Sequence, residues 1–107
     1  MKFESWFPTV IGRSQCPFID EIQPGYKKII ENYPVNEYGF INVPLHHKLK
    51  FKKLTKWVSK EVNIFAKNHN FAFNYEPKES WIWDYKKGAF QEFHTHLGFT
   101  ISAVFFL

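Results

Sequence analysis

The chain has 107 residues, which is enough for one small domain, and its aromatic share of 21% is far too high for a disordered protein. Lys and Arg outnumber Asp and Glu by 14 to 10, and the resulting formal charge of +4 is too small to indicate a nucleic-acid partner. The single cysteine, Cys16, excludes an intrachain disulfide and is typical of a reducing compartment. The sequence contains no apolar run long enough for a signal peptide or a membrane span. We therefore expect a soluble cytoplasmic protein without a membrane partner.

Residues 1–70 are predicted to form a lead-in strand followed by two helices. Residues 6–11 are aromatic and branched, as in a strand, and Pro8 favours a position at a sheet edge. Residues 23–32 are predicted to form a short helix, with Pro24 in its first turn and Asn32 at its end, before Tyr33-Pro34.

The second helix is predicted over residues 49–67, because its apolar residues recur at helical spacing. Asn68 or Asn70 is expected to end it in the left-handed conformation, and His69 suits the negative end of the helix dipole. We interpret the lysines on the opposite side as a solvated face, although a basic interaction domain is an alternative. The predicted apolar stripe consists of Phe51, Leu54, Trp57, Val58, Val62, Ile64 and Phe65, and the lysines are Lys52, Lys53, Lys56, Lys60 and Lys67.

Residues 71–107 are predicted to form strands. Residues 79–85 alternate in the manner of a strand, residues 90–96 form a second candidate, and the apolar residues 100–107 form a third. Turns are expected at residues 86–88 and 97–98, where Gly88 and Gly98 lie. Helices followed by antiparallel strands predict the α+β class.

The most informative residues are His94 and His96. On a strand, side chains two residues apart point to the same face, so the two imidazoles could bind one metal ion from one side. Neutral imidazole suits divalent iron, copper, nickel or zinc. A His-x-His pair alone is a weak signal, because such pairs often occur by chance. The third ligand would have to come from elsewhere.

The residues around this pair resemble a known family. Tyr85, then Gly88, then five residues before His94-x-His96, is similar to the Tyr-x-x-Gly-x5-His-x-Asp pattern of prolyl-hydroxylase-like oxygenases. Over residues 79–107 the chain resembles an H-x-H family of 2-oxoglutarate/iron(II) oxygenases that is met often in marine bacteria and phages. The opening residues 7–9, Phe-Pro-Thr, are also similar to the start of that family.

The resemblance implies a fold, cofactors and site residues. The fold would be α+β, with N-terminal helices packed on the first strands of an incomplete double-stranded β-helix, the cupin-like jelly roll. His94 would be the first Fe(II) ligand, and His96 would stand where relatives have an Asp. Tyr85 stands where relatives have a tyrosine that contacts 2-oxoglutarate. The function implied is that of a 2-oxoglutarate-dependent dioxygenase, a hydroxylase of unknown substrate.

The chain departs from the family pattern in two ways. Leu97 replaces the usual proline, and the family's distal His and its basic residue for the far carboxylate of 2-oxoglutarate would lie beyond residue 107. We therefore expect residues 1–107 to be a single truncated domain, the front half of the oxygenase, without turnover alone. The alternative is a non-catalytic cupin-like metal-binding or interaction module completed by a partner or a second copy. The apolar edge at residues 100–107 is the candidate surface for such self-association.

Overall fold

A computed structural model describes residues 1–2, 10–34, 40–41, 48, 51–71 and 74–106. In these residues the chain forms two α-helices, α1 (Ile19–Asn32) and α2 (Lys52–Asn68), and two short strands, β1 (Phe40–Ile41) and β2 (Ile82–Trp83). Among the described helices, neither combines the length and apolar character that a membrane crossing requires. The expected strand over residues 6–11 lies mostly outside the described residues.

Helix α1 is confirmed, but it begins at Ile19, earlier than predicted. Pro24 lies in its second turn rather than its first, where the missing N–H costs one backbone hydrogen bond. Asp20 and Glu21 in the first turn interact favourably with the positive end of the helix dipole and help to offset that loss. The chain leaves the helix at Tyr33 in an extended conformation, as the residue before a proline prefers.

Helix α2 is also confirmed, together with its exposed lysine face. Its predicted apolar stripe is correct except at one edge, where Ile64 is 45% exposed, and Ala66, which was not predicted, is buried instead. Asn70 follows the helix with φ of 58°, the left-handed stop that the sequence predicted. The Nδ1 atom of His69 lies 2.8 Å from the Phe65 carbonyl oxygen at the helix end.

The core lies between the two helices. Tyr26 of α1 packs on Phe51 at the start of α2, with ring centroids 4.8 Å apart, and both side chains are buried. Phe105 lies against the same surface, 6.4 Å from the Tyr26 ring and 6.3 Å from Trp57. Burial of these apolar groups is therefore the main stabilising term of the fold. The buried cluster consists of Cys16, Ile22, Tyr26, Ile29, Phe51, Leu54 and Ile82.

The predicted jelly-roll strands are wrong for the described residues. The strands β1 and β2 pair antiparallel over two residues each, with Phe40 opposite Trp83 and Ile41 opposite Ile82. The predicted strands at residues 90–96 and 100–107 have no strand structure where they are described. In the described residues the regular structure is mostly helical, and these residues do not form an α+β double-stranded β-helix with several strands.

The physical reason for this error lies in what an apolar pattern predicts. Alternating or continuous apolar residues indicate that side chains seek burial, but they do not specify a hydrogen-bonded neighbour for the backbone. Phe105 reaches the helical core without a sheet, whereas Val104 and Phe106 on either side of it are 76% and 83% exposed. Within residues 100–106, Phe105 is therefore the aromatic residue that packs against the helical core.

The two glycine turns are confirmed. The Ala89 N–H donates to the Lys86 carbonyl at 2.9 Å, and the Phe99 N–H donates to the His96 carbonyl at 3.3 Å. Gly88 and Gly98 occupy the third position of their turns with φ of 83° and 86°, which a type II turn requires and which glycine adopts without strain. Residues 89–95 thus form a segment with a hydrogen-bonded turn at each end.

A side-chain clamp connects α2 to the chain that follows it. The Asn63 amide oxygen accepts the Tyr75 backbone N–H at 2.9 Å, and its amide nitrogen donates to the Tyr75 carbonyl at 3.2 Å. One side chain thereby satisfies both backbone groups of Tyr75, in the manner of a neighbouring strand. These two hydrogen bonds fix the position of the Tyr75 backbone relative to α2, at the start of the segment that leads to β2.

Candidate metal centre

The two histidines of the His-x-His motif converge, although not on a strand. His94 is exposed, His96 is half-buried, and both lie in irregular backbone at the second glycine turn. Their ring centroids are 4.8 Å apart at an interplanar angle of 67°, and their Nε2 atoms are 3.1 Å apart. The spacing along the sequence thus correctly predicted the proximity of the two rings, even though the predicted strand geometry is wrong.

The separation of the two Nε2 atoms fits a shared metal ion. Imidazole nitrogens bind ions such as Zn²⁺ at about 2.0–2.1 Å, so two ligands at a right angle are about 2.9 Å apart. The observed 3.1 Å lies close to that value. A tetrahedral pair would be wider, at about 3.4 Å. The observed separation lies between these two values, so the pair fits neighbouring positions of either a six-coordinate or a four-coordinate ion.

The protonation of His94 is set by its other ring nitrogen. Nδ1 of His94 lies 2.9 Å from the Glu92 carbonyl oxygen, which can only accept a hydrogen bond, so Nδ1 carries the proton. Nε2 then holds a lone pair directed at His96. A histidine ligand whose second nitrogen donates to a carbonyl is the usual arrangement around protein-bound metal ions. In the absence of an ion, the Nε2–H of His96 can donate to the same lone pair.

The ring of His96 is held by Trp81. The two rings are stacked, with centroids 5.6 Å apart and planes inclined by 17°. Trp81 directly precedes β2, whose Ile82 side chain is buried in the helical core. The orientation of His96 is therefore coupled through one residue to the buried helical core.

Gln91 and Tyr85 complete the surroundings of His94. The Tyr85 hydroxyl donates to Gln91 Oε1 at 3.0 Å, and Gln91 Nε2 lies 3.5 Å from Nε2 of His94. The Tyr85 ring is stacked on Trp83, with centroids 5.5 Å apart. The Tyr85 hydroxyl, which the resemblance implies is a contact of 2-oxoglutarate, therefore contacts Gln91 in this structure.

Sequence reasoning missed Gln91 and the stacking of Trp81. Both omissions follow from the assumed strand, on which Gln91 would point away from His94 and Trp81 would be a core residue. Residues 89–95 form a loop between two turns, and in this loop the Gln91 side chain lies beside His94. Gly88 and Gly98, which lie in turns on either side of residues 89–95, were a signal that these residues form a loop rather than a strand.

Other candidate residues lie apart from this cluster or outside the described chain. Within residues 10–34, 51–71 and 74–106, His, Cys, Asp and Glu side chains do not gather in groups of three or more around one point. Cys16 is buried in the helical core, and His69 lies at the end of α2. His46 and His47 fall outside the described part.

Comparison of the chain with protein-family models, curated proteins and solved structures finds no match. The geometry around His94 and His96 is therefore the structural basis for a function.

Proposed function

We propose that this chain binds a divalent transition-metal ion through Nε2 of His94 and Nε2 of His96, and that this centre serves a 2-oxoglutarate-dependent oxygenase of unknown substrate. The observation that carries the proposal is the 3.1 Å separation of the two Nε2 atoms, with the proton of His94 held at the opposite nitrogen. The likeness of residues 79–107 to the oxygenase motif supports iron(II) as the ion. Bound iron(II) would supply the redox chemistry that couples decarboxylation of 2-oxoglutarate to hydroxylation.

The residues of the chain itself would bind the metal ion and orient its two histidine ligands. Two neutral imidazoles leave the charge of the ion uncompensated, which favours an anionic co-ligand such as a 2-oxo acid. Because His94 is exposed, a second molecule can approach the ion from solvent. The Glu92 carbonyl keeps His94 in the binding tautomer, and Trp81 keeps His96 turned toward it.

Metal binding is tested by titration calorimetry with Ni²⁺ and, without oxygen, with Fe²⁺. We expect His94→Ala and His96→Ala each to lower the affinity at least about tenfold, because each removes one of two imidazole ligands. His69→Ala is the matched control, since this histidine contacts a backbone carbonyl at a helix end, and it should leave the affinity unchanged. Unchanged affinity in the double variant of His94 and His96 would contradict the proposal.

The oxygenase assignment is tested separately, by binding of 2-oxoglutarate to the metal-loaded chain. A 2-oxo acid can chelate the ion through its carboxylate and its keto oxygen, whereas glutarate lacks the keto group. We expect 2-oxoglutarate to bind only with metal present and more tightly than glutarate. Equal binding of the two acids would favour the second candidate, a metal-binding module without catalysis. That candidate draws support from the two-histidine cluster, to which the described residues add no third His, Cys, Asp or Glu.

A further inference from the structure

We propose that the side-chain oxygen of Gln91 is the third protein donor to the metal ion, with the Tyr85 hydroxyl as its positioning partner. This inference rests on the proposed metal site at His94 and His96. It adds an uncharged oxygen ligand, which would complete a face of two nitrogens and one oxygen.

The geometry for this role is already present. The amide nitrogen of Gln91 lies 3.5 Å from Nε2 of His94, and the amide oxygen lies 3.0 Å from the Tyr85 hydroxyl. The two ends of an amide exchange places when the group rotates by half a turn, with almost no change in shape. After that rotation the oxygen lies about 3.5 Å from Nε2 of His94. A movement of a few tenths of an ångström then brings it within the spacing of about 2.9 to 3.4 Å between neighbouring ligands of one ion.

The hydrogen bonds allow both orientations. In the first, the amide N–H points toward the lone pair of His94 and the Tyr85 hydroxyl donates to the amide oxygen. In the second, the amide N–H donates to the Tyr85 hydroxyl, which can also accept. Tyr85 therefore supports the amide whichever way it faces.

A bound cation selects the second orientation. With the ion at the His94 lone pair, an amide N–H directed at the ion is repelled, whereas the amide oxygen is attracted. The rotation thus couples occupancy of the site to the direction of one hydrogen bond at Tyr85. A neutral amide binds a metal ion less strongly than a carboxylate, so the natural site should gain affinity when Gln91 becomes acidic.

The test compares Ni²⁺ affinity by calorimetry in the full chain and in single variants, with circular dichroism to verify folding. We expect Gln91→Ala to weaken binding about tenfold and Gln91→Glu to strengthen it about tenfold. Tyr85→Phe should weaken binding, by up to about tenfold, because it removes the partner that orients the amide. His69→Ala is the matched control, since this histidine contacts a backbone carbonyl at the end of α2, and it should bind as the parent does.

The outcomes separate this inference from the proposed metal site. Parent affinity in both Gln91 variants, together with loss of binding in His94→Ala, would overturn the role of Gln91 and leave the two-histidine site standing. A loss in Gln91→Ala without a gain in Gln91→Glu would equally overturn it, because Gln91 would then act only through packing. Undiminished binding in His94→Ala would overturn both proposals.

Discussion

At the scale of single residues, the orientation of two rings decides whether His94 and His96 can share an ion. His94 is fixed by a backbone carbonyl that no substitution of Glu92 removes, whereas His96 depends on its stacking with Trp81. The sequence indicated that the rings of His94 and His96 can lie close together, because a spacing of two residues limits how far apart they are. It could not predict Gln91 as a neighbour, because that contact depends on the conformation of the whole loop.

We predict that Trp81→Ala lowers the metal affinity by about tenfold, whereas Trp81→Phe keeps most of it. Loss of the indole frees the His96 ring to rotate, and residues that orient metal ligands typically contribute tenfold or more to affinity. A phenyl ring preserves a flat surface for stacking. Calorimetric titration of both variants with Ni²⁺ is the measurement, and equal affinities in Trp81→Ala and the parent would refute the positioning role.

At the scale of elements, the helices were predictable, whereas the strand predicted over residues 79–85 is confirmed only at Ile82–Trp83. The periodicity of α1 and α2 reflects contacts between residues three and four apart, which are local and visible in the sequence. Even there, the start of α1 was misplaced. Proline is more common in the first turn of a helix than in the second, and Pro24 was therefore assigned to the first turn. The pairing of β1 with β2 joins residues distant in sequence, which no local pattern specifies.

We predict that Tyr26 makes the helical core sensitive to alkali. Burial, and to a lesser degree the nearby Cys16, raises the pKa of Tyr26 from 10.0 to about 12. The unfolded chain loses this proton near pH 10 while the folded chain retains it, so this group leaves stability unchanged below pH 10 and lowers it as pH rises toward 12.

The comparison with Tyr26→Phe isolates this effect. Phenylalanine cannot ionise, so the free energy of unfolding of the parent should fall relative to the variant between about pH 10 and about pH 12. Other tyrosines and lysines titrate in both proteins and cancel in the difference. Urea unfolding at several pH values measures it, and a difference independent of pH would show that Tyr26 titrates alike in the folded and unfolded chains.

At the scale of the whole molecule, the helical core and the C-terminal part are unequally packed. The helices supply most of the buried cluster, whereas several large apolar side chains beyond residue 89 are open to solvent. The exposed fractions are 81% for Phe90, 109% for Phe93, 85% for Leu97, 76% for Val104 and 83% for Phe106. Apolar exposure on this scale is typical of surfaces that another chain covers.

We predict that the purified chain self-associates through Val104 and Phe106. Burial of both side chains against a second copy removes apolar area from water, and the charge of +4 opposes it only weakly. Sedimentation velocity over a range of concentrations should show association that weakens in a Val104→Ser, Phe106→Ser double variant. The matched control replaces Val10 and Ile11, which are 56% and 72% exposed elsewhere, by serine. Equal association in both double variants would exclude a specific role for the C-terminal pair.

The stacking of Trp81 on His96 also gives the protein an optical reporter. An open-shell ion such as Ni²⁺ or Cu²⁺ held by His96 would lie one ring away from this indole, within the range at which such ions quench fluorescence. Among the 4 tryptophans, Trp57 contributes to the helical packing instead and would keep its emission. Occupancy of the site can thus be followed as a partial loss of intrinsic emission, without any label, and Trp81→Phe defines the part of the signal that belongs to the site.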